Sequence, residues 1–376
     1  MCAPESPPTP PSAPSARCGR RGWACQDPPN FTWFASAYDT DDWIYRLLAM
    51  VQMMGVSLLA LGIPDIFHSI EEGGVLHNEI LVAGYVVMRV ALIAQFLRAA
   101  HRDPERRSIL RTYVMGWSLA QVGWVVLIVL PLELPWVFLA MAPLYVLELG
   151  VPWYAERQGG LPWHPHHIAE RYGLLAIIAL GEGVAGTIAA LGALLDAQGW
   201  TTDTVLLLIS GMAVTFAMWW VYFVLPHGEL LDVRRGAAPL FTVLHYPLYM
   251  AIAAIGAGLH VVAYLLDPEH AGFEVKIGPV GTVVSVAFPV GIFVALVFGA
   301  YAVLLRSSGA HDLFHAGLAV GTLTVLTAAT GIVALGAPVM LGILVASLAP
   351  AVTIAGYEWR GHRHLQGEVA QLQSSR

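Results

Sequence analysis

Glu182 lies in the run LLAIIALGEGVAGTIAALGALL, about ten residues inside an apolar stretch. An ionisable side chain at that depth costs a few kcal/mol on insertion scales, so it marks a candidate functional position. Gly181, Gly183, Gly186 and Gly192 surround it, with Ala185, Ala189 and Ala190. Gly186 and Ala189 fall at i+4 and i+7, on the Glu182 face of a helix, and small residues let a second helix approach closely. The spacing therefore predicts Glu182 in a tight helix contact or a narrow cavity. Burial there favours the protonated acid, which suits proton coupling; the structural alternative is a neutral or paired Glu that joins two helices.

Four further groups carry candidate chemistry. Arg89, in GYVVMRVALIAQFL, requires an acid, and Glu148 in LYVLELG is its obvious partner if their helices touch. Such a pair is either structural or part of a substrate site. His245 precedes Pro247 in VLHYPLYM, and a proline inside a helix frees a carbonyl. His245, Tyr249, Ile252 and Gly256 share one face, where a histidine is an interhelical hydrogen bond or a proton relay. The sequence WHPHHIAER supplies His164, His166, His167, Glu170 and Arg171 at the mouth of the Glu182 helix. Its imidazoles offer a weak metal candidate, since the spacing matches no standard zinc site. Glu170 is also favourable near a helix N-terminus by the macrodipole alone. Trp219, Trp220 and Tyr222 fit an interfacial aromatic belt or a binding surface. Asp41 and Asp42 read as capping and ion-pairing residues for Arg46.

These residues must be positioned by membrane helices. Hydrophobic residues make up 57% of the 376-residue chain and charged residues 12%, against about 25% charged in a soluble domain. Mean hydropathy is +0.65 over the whole chain. This excludes a disordered protein, a disulfide scaffold and an ordinary soluble enzyme. Ten segments reach the roughly 20 apolar residues that a span requires: 43–63, 80–99, 109–130, 135–154, 172–195, 204–225, 239–266, 283–305, 313–336 and 338–357. The fold class is all-α, a polytopic helical bundle.

Seventeen of the 19 basic residues fall on one side of this threading, the exceptions being Arg89 and Lys276. By the positive-inside rule both termini are cytoplasmic. Residues 1–30, rich in Pro, Ser and Ala, read as a disordered cytoplasmic tail and hold all three cysteines. Residues 359–376 read as a second tail. Weak internal similarity relates LPWVFLAMAPLYVLELGVPWYAE to APVMLGILVASLAPAVTIAGYEW. It predicts a parallel repeat, with an incomplete first copy of four helices over 31–160 and a second of six over 161–358.

The net charge of −7 argues against nucleic acid as a partner. The sequence has no P-loop, no H-E-x-x-H and no serine-nucleophile motif in a plausible setting. No cofactor is expected, and an enzyme is the less favoured reading.

HHIAERYGLLAIIALGEGV followed by FAMWWVYFVLPHGE resembles the bacterial low temperature requirement protein A family, as does FTWFASAYDTDDWIYRLLAMVQMMGVSLLALGIP. The resemblance covers roughly residues 31–357. It implies an integral membrane protein of bacterial cell membranes and supplies no catalytic residues. It also implies an earlier apolar helix with an acidic-aromatic run, which this chain lacks. Together these readings favour an ion-coupled secondary transporter or ion pathway, with the bilayer, protons or small ions and a small-molecule substrate as partners. A membrane enzyme acting on lipids through the His/Glu mouth, and a structural or sensory protein of cold adaptation, are the alternatives.

Overall fold

The structure, a computed structural model, describes residues 31–72, 76–130, 132, 134–266, 277–305 and 310–361. The expected tail 1–30, Lys276 and most of the tail 359–376 lie outside the described residues. Within them the regular structure is helical: α1 (Phe31–Tyr38), α2 (Trp43–Leu61), α3 (Ile63–Glu72), α4 (Glu79–Arg102), α5 (Arg107–Val129), α6 (Leu134–Glu156), α7 (Pro165–Gln198), α8 (Thr202–Phe223), α9 (His227–Val233), α10 (Ala238–Leu266), α11 (Pro279–Leu305), α12 (Ala310–Ala334) and α13 (Val339–Gly356). Among the described residues, ten helices are long and apolar enough to cross a membrane. In hydrocarbon every backbone group must be satisfied within its own segment, which selects helices.

Local signals set several boundaries. Asp42 caps α2, accepting the Tyr45 amide at 2.9 Å, while Arg46 pairs with Asp41 at 2.8 Å. Pro165 opens α7 at its first turn, where a missing N–H costs nothing. The helix thus starts before the expected 172, and His166, His167, Glu170 and Arg171 lie inside it. Thr201 and Thr204 form a reciprocal cap on α8. The first span also differs from expectation. The chain resumes as α3 directly after Gly62, so Asp65 and Glu71 stand on a helix and not in a loop.

The helices pack in two groups. α2, α4, α5 and α6 contact one another in succession as an open arc. α7, α8, α13, α12, α11 and α10 close a ring, each touching the next and α10 returning to α7. Backbones come close at several glycines: a Cβ on Gly84 of α4 would stand 2.4 Å from the Leu59 nitrogen of α2, and α7 and α10 are also in backbone contact. A Cβ on Gly256 would stand 2.7 Å from the Glu182 carbonyl oxygen, and one on Gly186 would stand 2.9 Å from the Gly256 oxygen.

α1 bridges the groups. Trp33 is buried in the core of the ring and Phe34 in the core of the arc. Trp33 Nε1 donates to the Tyr172 hydroxyl at 3.3 Å, Arg171 pairs with Asp39 at 3.2 Å, and the Tyr38 hydroxyl donates to Asp103 at 3.0 Å. Burial pushes the Asp103 carboxyl up, but the Arg106 amide, the Tyr38 hydroxyl and the Arg106 guanidinium outweigh it and hold the group below its ordinary value. A depressed native pKa contributes stability above the unfolded value, and that stability is lost as pH falls through the native one. Below about pH 4, the protection of amides 31–38 relative to their intrinsic exchange rates should therefore fall. Asp103→Asn should show the lower protection already at neutral pH and remove that part of the acid response. Identical profiles for the two proteins would contradict this anchoring.

Candidate functional site

Among the described residues, two polar clusters inside the bundle join three or more helices, one in each helix group. The first is built by α4, α5 and α6. α4 presents Tyr85 and Arg89 one turn apart, and α5 presents Trp117, Gln121 and Trp124 along one face. α6 adds Glu148. The Arg89 and Glu148 side chains are only 16% and 8% exposed and pair at 2.9 Å. Arg89 Nε donates to the Tyr85 oxygen at 2.9 Å, and the Tyr85 hydroxyl donates to Glu148 Oε2. Trp124 Nε1 donates to Glu148 Oε1 at 2.9 Å, with the Gln121 amide at 3.4 Å. The guanidinium carbon sits 5.1 Å from the centre of the Trp117 ring and 5.2 Å from that of Tyr85.

A buried ion pair survives only when further hydrogen bonds offset its desolvation. Here donors from α4 and α5 converge on the one carboxylate of α6, and two aromatic faces lie against the cation. Trp117 Nε1 and Gln121 Oε1 remain buried without a hydrogen-bond partner.

The second cluster joins α7, α8, α9 and α10. His245 Nδ1 lies 2.7 Å from the Phe241 carbonyl, which assigns the proton to that nitrogen. Nε2 then accepts from the Tyr222 hydroxyl at 3.0 Å. His227 Nε2 donates to the Tyr222 carbonyl at 3.2 Å, and its Nδ1 is buried without a partner. The Tyr249 hydroxyl donates to the Tyr172 carbonyl at 2.9 Å. Tyr172 stands edge-on to His245, with ring centres 4.9 Å apart. These contacts hold three spans together and place two imidazoles in a dry, aromatic surrounding.

The expected residues divide accordingly. Arg89 and Glu148 meet, and so do His245 and Tyr222. Tyr222 is 1% exposed, so it is an interior residue and leaves the aromatic belt predicted for it. Trp219 and Trp220 remain exposed as a belt requires, with Trp220 Nε1 donating to Glu358 at 3.2 Å.

Glu182 overturns its expectation. Its backbone forms the tight α7–α10 contact, but its side chain is exposed on the outer face of α7. The buried glycines of this stretch face two different neighbours: Gly186, one turn further on, packs on Gly256 of α10, and Gly183 packs on Thr215 of α8. His164, His166 and His167 are exposed, their rings neighbours at 5.9 and 4.7 Å. Among the described residues no three His, Cys, Asp or Glu side chains converge to hold a metal. Glu170 is exposed, and Arg171 is spent on Asp39.

Tyr85, Trp117, Gln121 and Trp124 carry the first cluster and His227 completes the second, though none was singled out as a site residue from sequence. The available signals were Tyr85 and Arg89 at i,i+4, and Gln121 within a long apolar helix.

One protein-family model, described as Bacterial low temperature requirement A protein (LtrA), matches residues 29–350. No curated protein and no solved structure matches the chain.

Proposed function

The chain belongs to the bacterial low temperature requirement A family, a multi-pass helical protein of the lipid bilayer, and from that premise we propose an ion-coupled secondary transporter or ion pathway. The buried Arg89–Glu148 pair carries this reading. Charged side chains inside spanning helices are costly and mark ion and substrate pathways. Proton arrival at Glu148 would cancel the charge that holds Arg89. The guanidinium would then be free for a substrate or for the next helix arrangement, and proton release would reset the pair. Tyr85, bonded to both partners, is placed to follow that exchange.

The arc and the ring fit a repeat. Contacts run α2–α4–α5–α6 in the arc and α10–α11–α12–α13 in the ring, so the arc parallels four helices of the ring. We take 31–160 and 161–358 as the two copies, related by an axis along the membrane normal. The basic connections orient both termini to the cytoplasmic side of the inner membrane.

Infrared difference spectra of the purified protein test the proton site. Acidification should raise a protonated-carboxyl band that is missing from Glu148→Gln. A band left intact by that substitution would remove Glu148 from the proton-carrying role.

A further inference from the structure

A cleft of about 410 Å³ opens where α1, the start of α2 and the end of α4 meet. Its floor is apolar and aromatic, with Phe34, Tyr45 and Ala99, and its rim carries Arg98, Arg102 and Arg106. Asp103 and Glu105 also line it, and the acids are outnumbered nearby. Residues 98–111 contain Arg98, Arg102, Arg106, Arg107 and Arg111 against Asp103 and Glu105.

The carboxylates do not exhaust the guanidinium groups. Arg98 and Arg102 share a single acid, Asp42, with Arg102 the more distant at 3.5 Å and its side chain 57% exposed. Asp103 is taken by Arg106 and the Tyr38 hydroxyl. A guanidinium presents five N–H donors in a fork suited to phosphate, and most of those on Arg102 remain open.

We propose that this cleft binds the phosphate of an anionic phospholipid headgroup. Its position argues for a lipid source over a free phosphate. The cleft sits at the end of two spanning helices, at headgroup level, on the side that the basic connections assign to the cytoplasm. α2 runs from it into the span with Leu47, Met50, Met53 and Met54 exposed, which offers an acyl chain an apolar wall. Basic pockets between spans at this level are suited to anionic headgroups. A lipid seated here would touch α1, α2 and α4 together and brace the bridge between arc and ring.

The test is thermal unfolding of the full chain in neutral detergent, titrated with phosphatidylglycerol, phosphatidylcholine of the same chains, or inorganic phosphate. Phosphatidylglycerol should raise the melting temperature, and the other two should not at equal concentration. Arg102→Gln should weaken the apparent lipid affinity roughly tenfold while leaving the melting temperature without lipid unchanged. Arg102→Lys should recover part of the loss, and Arg111→Gln, outside the cleft, should lose nothing. Equal stabilisation by phosphatidylcholine, or an undiminished response in Arg102→Gln, would overturn the site. An Arg111→Gln loss as large as that of Arg102→Gln would replace the site with diffuse charge attraction. The full shift from inorganic phosphate alone would overturn the lipid assignment.

Discussion

Glu148→Ala is expected to cost about 3–5 kcal/mol of stability, the penalty for leaving a buried charge without its partner. Arg89 is largely buried against two aromatic rings and pairs with Glu148. Tyr85, Gln121 and Trp124 would lose their acceptor in the same step. The double variant Arg89→Leu/Glu148→Leu removes both charges and should lie closer to the native protein in stability than Glu148→Ala. Its ion flux should nonetheless be absent. Stability and function therefore separate at this pair: a purely structural bridge predicts that the stable double variant keeps its activity. Thermal unfolding in detergent, paired with flux in vesicles, reads both quantities.

Gly256→Leu should destabilise by about 3 kcal/mol or more, since overpacking against backbone leaves no side chain to yield. The obstructing atom is the Glu182 carbonyl oxygen, 2.7 Å from the would-be Cβ. α7 and α10 would have to separate, and the His245–Tyr222 and Tyr249–Tyr172 bonds depend on the same helices. Gly192→Ala is the control. Its Cβ meets nothing within 4 Å, so no loss is expected, and the better helix propensity of Ala should add up to about 1 kcal/mol. A pair of equal, small effects would contradict the close contact.

Most of the architecture was legible in the sequence, because a span must be long, apolar and helical. The ten segments and the cap at Asp42 follow from that constraint and from local chemistry. Arg89 and Glu148 could be paired because few charges lie deep enough to compete. Glu182 was misjudged for a geometric reason. Gly186, one turn on, does lie in the α7–α10 contact, but the buried face of α7 centres near Gly183, Gly186 and Ala190. Glu182, about 100° round the helix from Gly183, is left exposed at its margin. Tyr222 was grouped with Trp219 and Trp220 by proximity in sequence, yet it stands about 200° round the helix from Trp220. Tyr85, Gln121 and Trp124 became visible only when three helices were brought together, since each is unremarkable within its own segment.

The most direct test is charge movement across proteoliposomes under an imposed pH gradient, comparing the chain with Glu148→Gln and Glu182→Gln. The account predicts a current in the native protein, its loss in Glu148→Gln with folding retained, and its persistence in Glu182→Gln. No current in the native protein, or an equal current in Glu148→Gln, would contradict an ion pathway built on the Arg89–Glu148 pair.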